Sequence, residues 1–335
     1  MAANRASLEP VSLARAVRGH RRFDQEKLIH DQGFGVVKTS SVHSWGTLRR
    51  QDLRFHPSCG GLILLAVLVA WPASAQQRPL VTEDPESVGA GRILIESGFD
   101  YAHDAHYPAS GLNGNLLRGP LIGISIGISS IAELQLDGGF YNRLSVSSRQ
   151  PAPLSSMVDQ SGDSVHDVED VVVATKIRMV AETTRRPSFG VRFATKLPNA
   201  SNESGLGLDT TDFYASILVG KTAGSFRTVG NFGFGILGDP TRGDRQNDVL
   251  TYGVSVAHAL TKAAELVGEV NGRIDTRAGD APPGTESRGQ ARVGARYTTG
   301  GWRTDVGVLF GVTSLDPDIG VLAGFTYVFN AFKVP

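Results

Sequence analysis

The sequence predicts an all-β protein, a transmembrane antiparallel up-and-down β-barrel of about twelve strands with both termini in the periplasm. Three observations lead to this fold. After residue 91, segments of about ten to fourteen residues recur in which alternate positions are apolar, and a period of two is the period of a strand. The intervening positions are polar or charged. The connections between the segments alternate in length.

The first six predicted strands each set an apolar face against a polar one. In the first, Ile93 and Phe99 alternate with Glu96 and Asp100. The third continues its polar face as far as Arg143. The apolar faces of the second to sixth strands lie within residues 122–128, 134–140, 171–179, 189–197 and 213–219.

The last six predicted strands keep the same alternation with more glycine, which suits a curved barrel wall. Their apolar faces lie within residues 226–236, 250–256, 266–274, 291–297, 302–310 and 319–329. An even number of strands returns the chain to the rim where it started, so both ends of the barrel are expected on one side.

The connections decide between a membrane barrel and a soluble sandwich. The long polar ones are predicted at residues 102–115, 145–167, 198–209, 238–247, 276–287 and 314–318. The short ones are predicted at residues 129–130, 183–187, 222–225, 261–263 and 298–301. Short turns at one rim and long loops at the other are typical of bacterial outer-membrane barrels. Hydrocarbon offers no partner to backbone polar groups, so a sheet crosses it only by closing on itself.

The polar faces would point into a narrow lumen, since about twelve strands enclose more space than side chains fill in an eight-stranded barrel. Basic and acidic strands are neighbours there, which allows two interpretations. One is a cross-strand ladder of ion pairs that stiffens the wall, and the other is a transverse field that selects polar or anionic solutes. The candidate lumen-lining residues are Glu133, Asp137, Lys176, Arg178, Arg192, Lys196, Glu265, Glu269, Arg288, Arg292 and Arg296.

The chain is expected to divide before the barrel. An apolar run at residues 61–71 follows Arg49, Arg50 and Arg54 and ends in Pro-Ala-Ser-Ala, which predicts a signal peptide at residues 51–75 cleaved before Gln76. The alternative is a short buried helix or an uncleaved anchor. Residues 1–50 are predicted to be a non-native or disordered extension, residues 76–91 a short periplasmic segment, and residues 92–330 the barrel.

Composition and residue types argue against several functions. Of the 33 basic and 33 acidic residues, 10 basic and 5 acidic precede Gln76, while 23 basic and 28 acidic follow it. The acidic exported part argues against nucleic-acid binding. The single cysteine, Cys59, would leave with the signal peptide. No catalytic residue, metal site or cofactor is predicted, because His258 and Ser255 fall on opposite faces of one strand and a hydrolytic pair needs them together.

Several segments resemble a known family of outer-membrane proteins. They are Lys176-Ile177-Arg178-Met179 within residues 170–198, the following strand at residues 212–220, and Asn231-Phe232-Gly233-Phe234-Gly235. The pattern is similar to the family described as “Putative MetA-pathway of phenol degradation”. That resemblance implies a transport or channel role in the outer membrane and aromatic solutes among the candidates. One departure is that residues 331–335 follow Phe329, where such barrels end on an aromatic residue.

The expected function is therefore an outer-membrane channel or transport barrel for small solutes, with aromatic or other organic compounds as candidates. The alternative is a structural or adhesive barrel whose long extracellular loops bind a partner without transport. The expected partners are outer-membrane lipid, an unidentified small-molecule solute and the barrel-assembly machinery. The expected location is the cell outer membrane.

Overall fold

The computed structural model describes residues 78–334, so the predicted extension and signal peptide lie outside the described residues. The described chain is all β and contains no helix that is long and apolar enough to cross a membrane. Its fourteen strands are β1 (Arg92–Tyr107), β2 (Leu112–Gly127), β3 (Ala132–Gly139), β4 (Asn142–Arg149), β5 (Ser164–Asp167), β6 (Val171–Val180), β7 (Ser188–Leu197), β8 (Asp212–Ala223), β9 (Phe226–Gly238), β10 (Gln246–Ala259), β11 (Ala264–Asp275), β12 (Arg288–Thr299), β13 (Trp302–Gly311) and β14 (Ile319–Asn330).

The strands close into a barrel with twelve positions around its wall. All neighbours are antiparallel, and β1 pairs with both β2 and β14. Residues 121–127 of β2 pair with β3 and residues 112–118 pair with β4, so β3 and β4 are two pieces of one wall strand. In the same way β6 pairs with β3, and β5 pairs with β4. The predicted twelve-stranded closed barrel is confirmed.

The interruption between β3 and β4 corrects one side-chain assignment. The sequence pattern places Arg143 on the same polar face as Glu133. In the structure Arg143 is exposed and pairs in register with Leu117 on the outer surface, whereas its neighbour Asn142 is buried opposite Arg118. The two residues that separate the strands shift the alternation by one position. Since side chains alternate with a period of two, a shift of one reverses every later side chain.

Apart from the first, the connections at the extracellular rim are mostly longer than those at the periplasmic rim, and the strands extend further than predicted. The first connection is four residues, 108–111, rather than residues 102–115, because β1 and β2 stay paired up to Tyr107 and Leu112. The remaining connections at this extracellular rim are residues 150–163, 198–211, 239–245, 276–287 and 312–318. The periplasmic rim has short turns at residues 128–131, 181–187, 224–225, 260–263 and 300–301.

The two faces of the wall have opposite character. The outward face is apolar and exposed, as Phe99, Phe193, Phe232, Val293 and Val306 illustrate. The inward face carries charged side chains that the protein itself buries. An apolar belt outside and a polar interior are what a bilayer-spanning barrel requires.

A small apolar core fills the interior near the extracellular rim. It consists of the buried side chains Ala102, Ala105, Leu112, Leu116, Leu144 and Val165. These residues hold the extended upper parts of β1, β2, β4 and β5 together, which explains why the strands continue beyond the predicted ends. The extracellular part of the barrel is thus packed as a soluble core would be.

Candidate functional site: the barrel interior

Residues 78–91, called the strap here, cross the interior of the barrel ahead of β1. The segment forms neither helix nor strand. Its hydrogen bonds, ion pairs and close contacts reach inward-facing residues of β1, β3, β6, β7, β9, β11 and β12, which surround the lumen. Sequence analysis assigned this stretch to a short periplasmic segment. The contacts instead place the segment inside the lumen that the wall encloses, because only a segment there can reach strands on all sides.

The backbone of the strap is held by wall side chains. Both carboxylate oxygens of Glu269 accept hydrogen bonds from the Val81 N–H, at 2.8 and 3.0 Å, and the Thr82 N–H also donates at 2.8 Å. Asn231 binds Glu83 twice, accepting from its N–H at 2.7 Å and donating to its carbonyl at 2.8 Å. Hydrogen bonds to a charged acceptor are among the stronger ones in proteins.

The side chains of the strap make ion pairs with the wall. At one end Arg78 lies 3.1 Å from Asp100 of β1. In the middle, the Glu83 carboxylate lies 3.2 Å from Lys176 and 3.0 Å from Arg192. The acidic residues that follow continue the pattern, since Asp84 pairs with Arg227 and Glu86 with Arg178. From Glu83 to Glu86 the strap therefore supplies negative charge to basic residues of β6, β7 and β9.

Glycines on the wall allow the strap to approach closely. A Cβ atom on Gly253 would lie 2.9 Å from the Thr82 hydroxyl oxygen, and one on Gly190 would lie 3.2 Å from the Pro85 ring. Both distances are shorter than ordinary carbon contacts, which lie at about 3.5–4.0 Å. Larger residues at these two positions would push the strap away from the wall.

One part of the strap, Val81 and Thr82, lies well inside the barrel. Glu269, which binds it, is the sixth residue of β11 counted from the periplasmic turn. A rise of about 3.3 Å per residue along a strand tilted by roughly 40° places that contact about 12 Å above the rim. The strap thus extends from the periplasmic rim, where Asp84 and Glu86 pair with Arg227 and Arg178, into the interior of the barrel at Val81 and Thr82.

Cavities A, B and C lie in the interior, among those lined by the described residues. Cavity A, of about 480 Å³, is lined on the β1–β3 and β6–β8 side by residues such as Asp100, Arg118, Asp137 and Lys196. Cavity B, of about 440 Å³, lies against β8–β12. The strap residues Val81 and Glu83 line both. Cavity C, of about 270 Å³, is more apolar and lies beneath the extracellular loops.

Six of the predicted lumen-lining residues form cross-strand pairs in register. Glu133 lies 3.0 Å from Lys176, Glu269 3.6 Å from Arg292, and Glu265 4.0 Å from Arg296. The first pair is fully buried, which is rare for charges unless they are paired.

The remaining five predicted residues also lie on the inward face. Arg178 and Arg192 bind the strap, and Arg192 also lies 3.8 Å from Asp137. Lys196 lies between Asp170 at 2.8 Å and Asp212 at 3.2 Å. Arg288 lines cavities B and C. That the eleven residues together line a conducting pathway stays a prediction.

Sequence reasoning did not identify the strap as part of the interior. The available signal was the acidic run Glu83-Asp84-Pro85-Glu86, placed immediately before a barrel whose inward face is rich in arginine and lysine. Asp305 was also passed over as a site residue. It is buried, with neither carboxylate oxygen hydrogen-bonded within the described residues and Arg78 at 3.9 Å.

A serine–histidine contact occurs at the periplasmic rim, with a different serine from the one weighed in the sequence. The Ser225 hydroxyl lies 3.2 Å from Nδ1 of His258, and Phe226 stacks on the imidazole at 4.3 Å. Ser225 is exposed in the turn at residues 224–225, and His258 is half-buried near the end of β10. Within residues 78–334 no carboxylate hydrogen-bonds the imidazole to orient it. Over the same range no group of histidine, cysteine and acidic residues is arranged to hold a metal ion.

Comparison with solved structures supports the barrel fold. An outer membrane channel from Pseudomonas putida F1 aligns with a TM-score of 0.53 and 12% identity, over 73% of this chain and 98% of that chain. The NanC porin aligns with a TM-score of 0.43 and 10% identity, over 70% of this chain and 98% of that one. A KdgM porin in complex with disordered oligogalacturonate aligns with a TM-score of 0.41 and 10% identity, over 71% and 99%. At these identities the likeness concerns the fold alone.

No match was found among curated proteins. A family model matches residues 76–329, which include the strap and eleven of the twelve wall positions completely, with β14 matched to its penultimate residue. The outer-membrane β-barrel described here therefore belongs to the family “Putative MetA-pathway of phenol degradation”.

Proposed function

We propose that this protein is an outer-membrane channel for small organic solutes, aromatic compounds among them, and that the strap limits passage through its lumen. The observation that carries the proposal is the combination of a closed polar-lined barrel with a transverse segment held by side chains rather than by strand pairing. A segment attached in this way is able to leave the wall without breaking the barrel.

The geometry of the cavities supports a solute pathway. Cavities A and B meet at Val81 and Glu83 and have volumes of about 480 and 440 Å³, within the size range of small-molecule sites. Their lining mixes charged groups with backbone and glycine surfaces. A lumen of this kind admits molecules that combine a polar group with an apolar body.

The family description supports aromatic compounds as candidate solutes, since it refers to phenol degradation. The location of the protein in the cell outer membrane follows from the same proposal. The exposed apolar belt would contact outer-membrane lipid, and the barrel-assembly machinery would insert it, as for other barrels of this type.

The proposal is tested by conductance in planar bilayers and by solute-driven swelling of liposomes. The informative variant is the double substitution Glu83→Gln and Glu269→Gln, which removes the charges that hold the middle of the strap. We expect larger conductance steps and faster swelling than for the wild type. Glu203→Gln, on an exposed loop, removes one charge without touching the strap and is the control.

Two outcomes would contradict the proposal in different ways. Equal conductance in the double variant and the wild type would show that the strap does not limit passage. No conductance and no swelling in either protein would remove the channel and favour the structural or adhesive barrel, whose test is then partner binding by the loop at residues 150–163.

A further inference from the structure

Two pairs of like charges face each other across neighbouring strands in the interior. Lys176 of β6 stands directly opposite Arg192 of β7, and Arg273 of β11 stands directly opposite Arg288 of β12. Like charges in this position repel, because opposite side chains on one face of a sheet have their Cβ atoms only about 5 Å apart. Each pair therefore calls for a negative charge nearby.

The first pair receives that charge from the strap. The Glu83 carboxylate lies 3.2 Å from the Lys176 ammonium and 3.0 Å from the Arg192 guanidinium, so one carboxylate bridges both cations. Its side chain is 7% exposed, which keeps the interaction away from bulk solvent. One carboxylate of the fold thus bridges two opposed cations, and Glu133 is a second partner of Lys176 at 3.0 Å.

The second pair has no such carboxylate. Within the described residues, no carboxylate oxygen lies within 4.0 Å of either Arg273 or Arg288. Arg273 donates to the carbonyls of Gly284 and Glu286 at 2.7 and 2.8 Å. Arg288 donates to the carbonyls of Leu315 and His106. A guanidinium has five N–H donors, so each arginine keeps donors to spare.

The acidic residues at this end, Asp316 in the lining of cavity B and Glu286, make their hydrogen bonds to backbone and hydroxyl groups, and Oε2 of Glu286 has no hydrogen-bond partner within the described residues. The Oδ2 atom of Asp316 accepts hydrogen bonds from the Gly289 N–H at 2.8 Å and from the Thr313 hydroxyl at 2.6 Å. Glu286 accepts one from the Gly284 N–H at 2.9 Å. These contacts fix the loops around the two arginines. Asp316 and Glu286 attract Arg288 from beyond contact distance, so that no carboxylate of the described residues bridges the two guanidinium groups.

The position of the second pair relates it to two cavities. Arg273 and Arg288 both line cavity B, and Arg288 also lines cavity C. Gln290 lines both cavities as well. Its Oε1 accepts from Arg292 at 2.9 Å, and within the described residues its amide N–H groups donate to no other atom. Cavity C continues into apolar surface that includes Leu116, Leu208 and Leu309.

We propose that Arg273, Arg288 and Gln290 form a binding subsite for the carboxylate of a small organic acid whose apolar body occupies cavity C. The bound carboxylate would bridge the two arginines as Glu83 bridges Lys176 and Arg192. This inference rests on the proposed channel function and names one solute class for it, organic monoanions.

The size and lining of cavity C restrict the apolar body. Its volume of about 270 Å³ lies near the lower end of small-molecule pockets, which suits one aromatic ring or a short alkyl chain. An inorganic anion would satisfy the arginines and leave the apolar surface unused, so an organic acid should bind more tightly than chloride or phosphate.

The test is binding of benzoate to the purified full-length barrel in detergent, measured by calorimetry, with benzamide as the uncharged molecule of the same shape. We expect the wild type to bind benzoate and to bind benzamide at least about tenfold more weakly, since a charge-assisted hydrogen bond contributes that much or more. Arg288→Gln and Arg273→Gln should each weaken benzoate binding by about tenfold or more.

The matched control is Arg277→Gln. Arg277 is exposed on the loop after β11, donates to the Gln246 carbonyl at 2.8 Å, and lines none of the three cavities. The Arg277→Gln substitution removes the same charge from the same end of the barrel, so a general effect of net charge on benzoate binding would also appear in this variant. The gel mobility of unheated samples reports whether each variant is folded.

Three results would overturn the subsite. They are equal binding of benzoate and benzamide by the wild type, unchanged benzoate affinity in folded Arg288→Gln and Arg273→Gln, or an equal loss in Arg277→Gln. If both site variants fail to fold, the comparison of benzoate with benzamide on the wild type still decides. Benzoate binding does not require conductance. A barrel that conducts but does not bind benzoate would therefore contradict only the subsite, and a barrel that binds benzoate but does not conduct would contradict only the channel function.

Discussion

The periplasmic and extracellular halves of the barrel interior differ in how their inward-facing side chains are stabilised. In the periplasmic half, inward-facing charges are matched by opposite charges, both across strands and from the strap. In the extracellular half, an apolar core holds the strands together and Arg273 and Arg288 stand opposed without a carboxylate in contact. The periplasmic half is held by charge, and the extracellular half by apolar packing together with the ion pairs of Lys196 with Asp170 and Asp212.

This difference separates the structural role of interior charges from a solute-related one. Where a carboxylate of the chain already bridges two cations, the ionic interaction is part of the fold. Where the chain leaves two cations unmatched beside a cavity, the missing partner is to be sought outside the chain. We propose that the two interpretations that the sequence left open, an ion-pair ladder and a transverse field that selects polar or anionic solutes, apply to different halves of one lumen.

The largest expected effect concerns the periplasmic half, where interior charges are paired. Lys176→Met leaves the carboxylates of Glu83 and Glu133 buried without their shared cation, which lies 3.2 and 3.0 Å from them. Removing one partner of a buried ion pair costs about 3–5 kcal/mol, so the free energy of unfolding should fall by that amount. Denaturant unfolding of the refolded barrel in detergent measures it.

Lys221→Met provides the control for that measurement. Lys221 pairs with Glu182 at 2.7 Å, but its side chain is 34% exposed at the periplasmic rim. An exposed ion pair contributes about 1 kcal/mol or less. Equal losses in the two lysine variants would show that burial does not distinguish the interior pairs from those at the rim.

The next effect tests the apolar half. Leu144 is fully buried in the extracellular core. We expect Leu144→Ala to lower the free energy of unfolding by about 2–5 kcal/mol, because it removes apolar contacts and leaves a cavity. Leu260→Ala, in a turn where the side chain is 54% exposed, should change it by less than about 0.5 kcal/mol. A Leu144→Ala loss no larger than that would mean the upper strands are not held by this core.

A third prediction concerns the direction in which interior charges point. Arg292→Glu reverses a charge that lines cavity A, so the reversal potential in a salt gradient should shift toward cation selectivity. Arg143→Glu makes the same change on the outer surface and should leave the reversal potential unchanged. Equal shifts in the two variants would contradict the inward position of one and the outward position of the other.

The smallest expected effect is a pH dependence at the periplasmic rim. Burial acts to raise the pKa of Glu182, but hydrogen bonds from Lys221, Thr222 and Arg227 outweigh it and lower the pKa to about 2. Because the folded pKa is lower than the usual 4.5, the stabilisation is present above pH 4.5 and is lost as the pH falls toward 2.

That loss should be smaller in Glu182→Gln, which has no carboxyl group to protonate. The measurement is the difference in unfolding free energy between the wild type and this variant at several pH values between 2 and 6. Glu203→Gln, which makes no ion pair within the described residues, serves as the comparison. A difference that stays constant with pH would show that the Glu182 contacts do not stabilise the folded state.

The alternation of side chains predicted the inward positions of Glu133, Lys176, Glu269 and Arg292 because a period of two assigns each residue to a face from its neighbours alone. The same reasoning placed Arg143 on the wrong face. The break between β3 and β4 shifts the alternation by one residue, and no residue type in that stretch marks the break unambiguously. Local patterns determine a face only as far as the strand is continuous.

The sequence by itself determined the closed twelve-stranded barrel, because alternating faces, alternating loop lengths and the demands of the bilayer all act on neighbouring residues. Only the tertiary structure decided what fills the barrel. The strap contacts Glu269 and Asn231, which lie 188 and 148 residues further along the chain. Closure of the wall brings such distant residues together. No local preference of the residues themselves determines these contacts.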